Sequence, residues 1–177
     1  MTLQRSLREL EIVVEQWLSD LTLYSDEQLL RKPDDRQWSI GQVYIHLIQS
    51  AENFHLKQVE LCATGKGEAV SGGKTMPGRI TYFLGVIPPV RVSVPPSDFY
   101  TPKQPVNKEE IRTRMRGMLE KVRLALPMAQ NAPRGMKLKH PGFGYLDGRE
   151  WFQLITMHYR HHRRQQKRLN TFLWITA

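Results

Sequence analysis

The chain has 177 residues, 40% hydrophobic and 24% charged, with a formal net charge of +9 and one cysteine, Cys62. That length suits a single domain over residues 1–177 with a sizeable core, and the mixed charge argues against wholesale disorder. One cysteine excludes an internal disulfide and gives no sign of an oxidising compartment. No window approaches the ~18 apolar residues of a membrane span, and the first residues are acidic early with no apolar core of a signal, so a soluble cytoplasmic protein is expected. The positive charge admits an anionic partner. However, the Lys and Arg residues are spread over several segments without an aromatic-interleaved basic run. A basic solvated surface is therefore expected rather than nucleic-acid binding.

The first helix is predicted over Leu3–Leu21, where Leu3, Leu7, Leu10, Val14, Trp17 (or Leu18) and Leu21 form one stripe. Ser25 with Gln28 reads as a capping box opening a short turn through Leu29 and Leu30, and Lys32-Pro33-Asp34-Asp35 breaks the chain. Ser39, with Gln42 three residues on, opens a second long helix. Its stripe runs through Ile40, Val43, Leu47, Ala51 (or Ser50), Phe54 and Leu61. His46 borders that stripe. On a straight helix His55 lies about half a turn round from it, which makes His46 a ligand candidate and His55 a surface residue.

Residues 65–105 are rich in Gly and carry seven prolines. A connection of this length is uncommon unless it is functional. Within it Ile80–Ile87 reads as a short packed helix and Val92–Pro96 as extended or polyproline-like. The segment is expected to cover one end of the helices and to roof a pocket. A third helix starts at Asn107, with Glu110 three residues on. It carries Ile111, Met115, Met118 (or Leu119), Val122 and Ala125, and Pro127 is expected to end or fray it. Residues 130–148 read as loop.

From Arg149 to Ala177 no Gly or Pro interrupts the last helix. Its core stripe, Phe152, Ile155, Leu169 and Phe172 or Leu173, places His158, His162 and Gln165 where hydrophobes belong. The two histidines lie about 40° apart on one face, and Arg160, Arg163, Arg164, Lys167 and Arg168 fall on the other side. The fold class this implies is all-α: an antiparallel four-helix bundle with a long Gly/Pro-rich crossover between the second and third helices.

A His-x-x-x-His pair offers two imidazoles from adjacent turns, and a third ligand must come from a facing helix. His46 is the one other helical histidine beside a core stripe. Three neutral nitrogens at ~2.1 Å leave a position open for water, the pattern of catalytic sites. Such a donor set suits zinc, nickel, iron or manganese. The ordinary alternative for each histidine is a buried ring bonded to a backbone carbonyl. Gln165 either orients a ligand or a metal-bound water, or bonds backbone. His161, about 60° round from His158, reads as a solvated histidine before a residue that supports a ligand from behind or lines the rim. His140 is expected in a loop role, Trp38 and Trp151 as staples at helix entries, and Tyr44 and Tyr159 as packing. Cys62 lies about 24 Å along the helix from His46, too far to join a site, and is expected as a small core residue.

The run Gln37-Trp38-Ser39-Ile40-Gly41-Gln42-Val43-Tyr44-Ile45-His46-Leu47, with His140-Pro141-Gly142-Phe143-Gly144 and Glu150-Trp151 leading into His158-x-x-x-His162-x-x-Gln165, resembles the DinB-like superfamily. The family's W-S-x-x-x-x-x-H-L helix supplies one histidine, which falls on His46. Its H-x-x-x-H-x-x-Q helix supplies two, which fall on His158 and His162. The resemblance implies a helical bundle with a long crossover, a three-histidine site holding zinc or nickel in many members, and frequently a homodimer. Because the superfamily includes thiol S-transferases using bacillithiol or mycothiol, it also implies a metal-dependent enzyme joining a low-molecular-weight thiol to a small electrophile. A hydrolase using metal-bound water and a non-catalytic metal-binding or structural helical dimer are the alternatives.

Overall fold

The structure is a computed structural model that describes residues 2–69, 72–89 and 101–175. Its elements in order are α1 (Leu3–Leu21), α2 (Asp26–Leu30), α3 (Ile40–Gln49), a π-helical segment (Ser50–His55), α4 (Leu56–Ala63), β1 (Glu68–Ala69), α5 (Met76–Leu84), α6 (Lys108–Asn131), β2 (Met136–His140), β3 (Gly144–Asp147) and α7 (Gly148–Phe172). The protein is mostly helical. A small antiparallel sheet, in the order β1-β2-β3, lies beside the helices.

Helix starts follow the side chains that satisfy their free N–H groups. Ser25, Ser39 and Asp147 form reciprocal capping boxes with Gln28, Gln42 and Glu150. Thr2, Thr75 and Asn107 cap α1, α5 and α6. Gly85 ends α5 with φ of 67°, a left-handed conformation that glycine adopts without strain.

Helices α1, α3, α4, α6 and α7 pack on one another around one core that includes Leu10, Val14, Leu47, Met115 and Ile155, all nearly inaccessible to solvent. Large aromatics fix how the helices meet. Trp17 donates from Nε1 to the Tyr159 carbonyl at 3.4 Å, and Tyr44 donates to the Trp17 carbonyl at 2.8 Å, which ties α1 to α7 and α3. Burying a side chain of this size contributes roughly 1.5–3 kcal/mol, and these bonds spare the polar tips an unpaired burial. Between α1 and α7 the hydroxyls of Ser6 and Thr156 pair at 3.0 Å inside the core.

Four sequence expectations need correction. Pro127 lies inside α6, which continues to Asn131; a proline removes the donor for the carbonyl four residues back, but Arg123 and Pro127 are both exposed, so water can serve that carbonyl. Residues 130–148 include a hairpin in which Lys137 pairs with Asp147 and His140 with Gly144. The short helix of the crossover begins at Met76, four residues before the expected start, because Thr75 caps it there. The second long helix is not a continuous α-helix: six residues, Ser50–His55, are π-helical. Through this segment and into α4 the buried face passes through Ala51, His55, Val59 and Cys62, while Phe54 turns outward. The expectation for Val92–Pro96 falls outside the described residues.

Candidate metal centre

His46 sits in the last turn of α3, and His158 and His162 lie one turn apart in the middle of α7. Their Nε2 atoms converge. His158 Nε2 lies 3.2 Å from that of His46 and 3.0 Å from that of His162. A ligating nitrogen from each of the three falls within 4.8 Å of the others, so this group could hold a metal ion. Two nitrogens bound to one tetrahedral zinc at about 2.05 Å are themselves about 3.3 Å apart, so the observed separations fit a shared cation with little movement.

The nitrogens on the far side of two rings are engaged. Gln165 Oε1 lies 2.8 Å from His162 Nδ1, and as an amide oxygen it accepts, which places the hydrogen on Nδ1 and the lone pair on Nε2. Ser50 Oγ lies 3.4 Å from His46 Nδ1, a longer and weaker contact. The Trp38 ring packs on His46 with centroids 4.9 Å apart, so Trp38 touches the site as well as the helix entry.

Electrostatics favour neutral rings. Loss of hydration on burial pushes His46 down to about 3 and His162 to about 4, and each feels a neighbouring imidazole in the same direction. His158 is driven well below its ordinary value, first by burial and then by His162, His46 and His55. Each of the three still keeps some accessible surface. Neutral imidazoles are the form that binds metal, so little proton loss is needed before binding.

Of the other residues singled out in the sequence, His161 is half-buried rather than solvated, and the Ile87 carbonyl accepts a hydrogen bond from its ring. The crossover therefore reaches the edge of the histidine group at Ile87. Arg160, Arg164, Lys167 and Arg168 are exposed as expected. Arg163 instead turns back to pair with Asp20 and lies over the Trp17 ring. His140 holds its loop by accepting from the N–H groups of Gly142 and Phe143 at Nδ1. Tyr44, Tyr159 and Trp151 are buried packing residues, and Cys62 is a buried core thiol.

Sequence reasoning missed His55. It is 4% exposed, not a surface residue, and its ring lies 5.3 Å from that of His158. A π-turn advances less per residue than the ~100° of an α-turn. Treated as one extra residue, it brings His55 to about 80° from His46 instead of about 180°. A signal was present: Leu47, Ala51, His55 and Val59 recur at every fourth position.

A helical scaffold in which two helices direct three neutral imidazoles at one point defines a helical protein with a candidate metal centre. The chain belongs to the DinB superfamily, whose family model matches residues 2–166. No curated protein matches it.

Proposed function

We propose that this protein is a metal-dependent enzyme in which His46, His158 and His162 hold a divalent cation, zinc or nickel before iron or manganese, and that it transfers a low-molecular-weight thiol to a small electrophile. The observation that carries the metal assignment is the convergence of the three Nε2 atoms from α3 and α7. Three protein ligands are the number that leaves a coordination position for water or substrate. A cation bound there supplies Lewis acidity that lowers the pKa of a thiol or water ligand.

The chain's residues support an external nucleophile. Cys62 is fully buried, and burial, with Asp147 nearby, pushes its thiol up to about 11. A buried, protonated thiol is inert. His162 is oriented by Gln165, and His46 is flanked by Trp38, whose ring offers an apolar wall beside the site. We read the packing of α1, the α3–α4 rod, α6 and α7 as an antiparallel four-helix bundle with the crossover after α4; the single shared core supports that reading.

The test supplies zinc or nickel, a low-molecular-weight thiol and an alkyl halide. The reaction forms one S–C bond, releases halide and passes the thiol proton to solvent. Turnover should require metal, vanish in His158→Ala and persist in Cys62→Ala. Metal-independent turnover, or its loss in Cys62→Ala with the fold intact, would contradict this reading.

A further inference from the structure

Two of the three converging histidines have a side-chain partner on Nδ1, and the third does not. Among the described residues, Nδ1 of His158 is buried with no hydrogen-bond partner, and so is Nδ1 of His55. The two rings meet edge to face, with centroids 5.3 Å apart and planes at 84°. Phe54 and Trp151 pack around His55 at centroid distances of 5.6 and 6.2 Å and present apolar rings to it. His140 also bears on His55 electrostatically, but its Nδ1 is already occupied by two backbone N–H groups.

An unpaired buried polar atom costs about 1–3 kcal/mol, and a native fold rarely leaves two side by side. Chemistry adds a second requirement. A neutral imidazole bound to metal through Nε2 carries its hydrogen on Nδ1. Ligating histidines almost always donate that hydrogen to an acceptor. For His162 the acceptor is Gln165, and for His46 the Ser50 hydroxyl, which can accept or donate, lies at the longer distance of 3.4 Å. For His158 the facing ring is His55, brought there by the π-helical segment. π-turns inside α-helices occur frequently at functional sites.

We propose that His55 is a positioning residue of the metal centre: its Nδ1 pairs with Nδ1 of His158 and so determines which nitrogen of His158 faces the cation. The two nitrogens are not hydrogen-bonded as they stand. Direct pairing requires one of the two rings, already in edge-to-face contact, to turn its Nδ1 toward the other. The inference rests on the metal assignment above, and its test separates the two.

Zinc affinity is measured by competition with a chromophoric chelator for the parent, His55→Leu and His55→Gln. His55→Leu fills the space without an acceptor and should weaken zinc binding about 10–100-fold; His55→Gln keeps an acceptor and should recover most of the loss. A folded His55→Leu with the parent's affinity would overturn the proposal. Long-range 1H–15N spectra of the parent's imidazoles give a second reading that needs neither variant nor metal. Paired nitrogens share one hydrogen, so one and only one of the two Nδ1 atoms should carry it. Both protonated, or both bare, would overturn the pairing. If the parent takes up none of zinc, nickel, iron and manganese, the metal assignment fails, and the spectra alone still decide whether His55 pairs with His158.

Discussion

Gln165 Oε1 accepts from His162 Nδ1 at 2.8 Å, one turn along α7. The amide thereby sets the ring so that Nε2 faces His158 and His46. Outer partners of ligating histidines typically contribute 10–100-fold in affinity. Gln165→Leu should therefore weaken zinc or nickel binding by about that factor while the thermal midpoint of the metal-free protein changes little. Competition titration checks it, and unchanged affinity would reduce Gln165 to a core-edge amide.

Neutral rings at the site make the metal-free protein sensitive to mild acid. His46 and His162 stay neutral in the native state down to about 3 and about 4, whereas unfolded histidine protonates near 6.5. Below pH ~6.5 the unfolded chain binds protons that the native chain refuses, so stability falls as pH falls and rises as pH rises. Urea midpoints in the presence of chelator should drop between pH 7.5 and 5.5, and the drop should be shallower in His162→Gln. A midpoint that holds or rises on acidification would contradict the neutral-ring assignment.

The same electrostatics predict little proton release on metal uptake at pH 7, because the three imidazoles are already neutral. Calorimetric titration of zinc in two buffers of different ionisation enthalpy should give nearly equal heats. A difference corresponding to more than one proton per metal would mean that at least one imidazole is charged beforehand, since a metal-bound water releases at most one near neutrality.

Gly41 sets two effects of opposite sign against each other. Alanine is favoured over glycine in a helix by at most about 1 kcal/mol, the value for the interior, and Gly41 lies in the first turn of α3. A Cβ at Gly41, however, would lie 2.6 Å from the Leu29 carbonyl oxygen and 2.8 Å from Pro105 Cγ. A backbone carbonyl and a proline ring give way poorly, and overpacking of this kind costs about 1–3 kcal/mol. Gly41→Ala should therefore lower stability, read as a lower urea midpoint at constant m-value.

Helix positions and the three convergent histidines were legible in the sequence because both rest on local rules. Ser39, Asn107 and the Ile111–Met115–Met118–Val122 stripe behave as capping and periodicity dictate. His158 and His162 stand out as imidazoles at core positions of an otherwise regular helix. What was not legible depends on tertiary context. The Ser50–His55 π-turn has no local sequence rule, and it alone turns His55 inward and Phe54 outward. Strands as short as Met136–His140 and Gly144–Asp147 fall below what alternation can resolve, and their pairing is fixed by β1 and the start of α7. Pro127 keeps its helix because the exposed face of α6 can give up one internal bond.

The central claim is that His46, His158 and His162 hold one metal ion. It is tested most directly by the metal content of protein purified without chelator and then supplied separately with zinc, nickel, iron and manganese. One equivalent of at least one of these metals is expected in the parent, and its loss in His158→Ala and in His162→Ala. The bound metal should also raise the parent's thermal midpoint, since a ligand at 100 times its Kd stabilises by about 2.7 kcal/mol. A parent that takes up no stoichiometric metal under any of these conditions, or variants that retain it fully, would contradict the account.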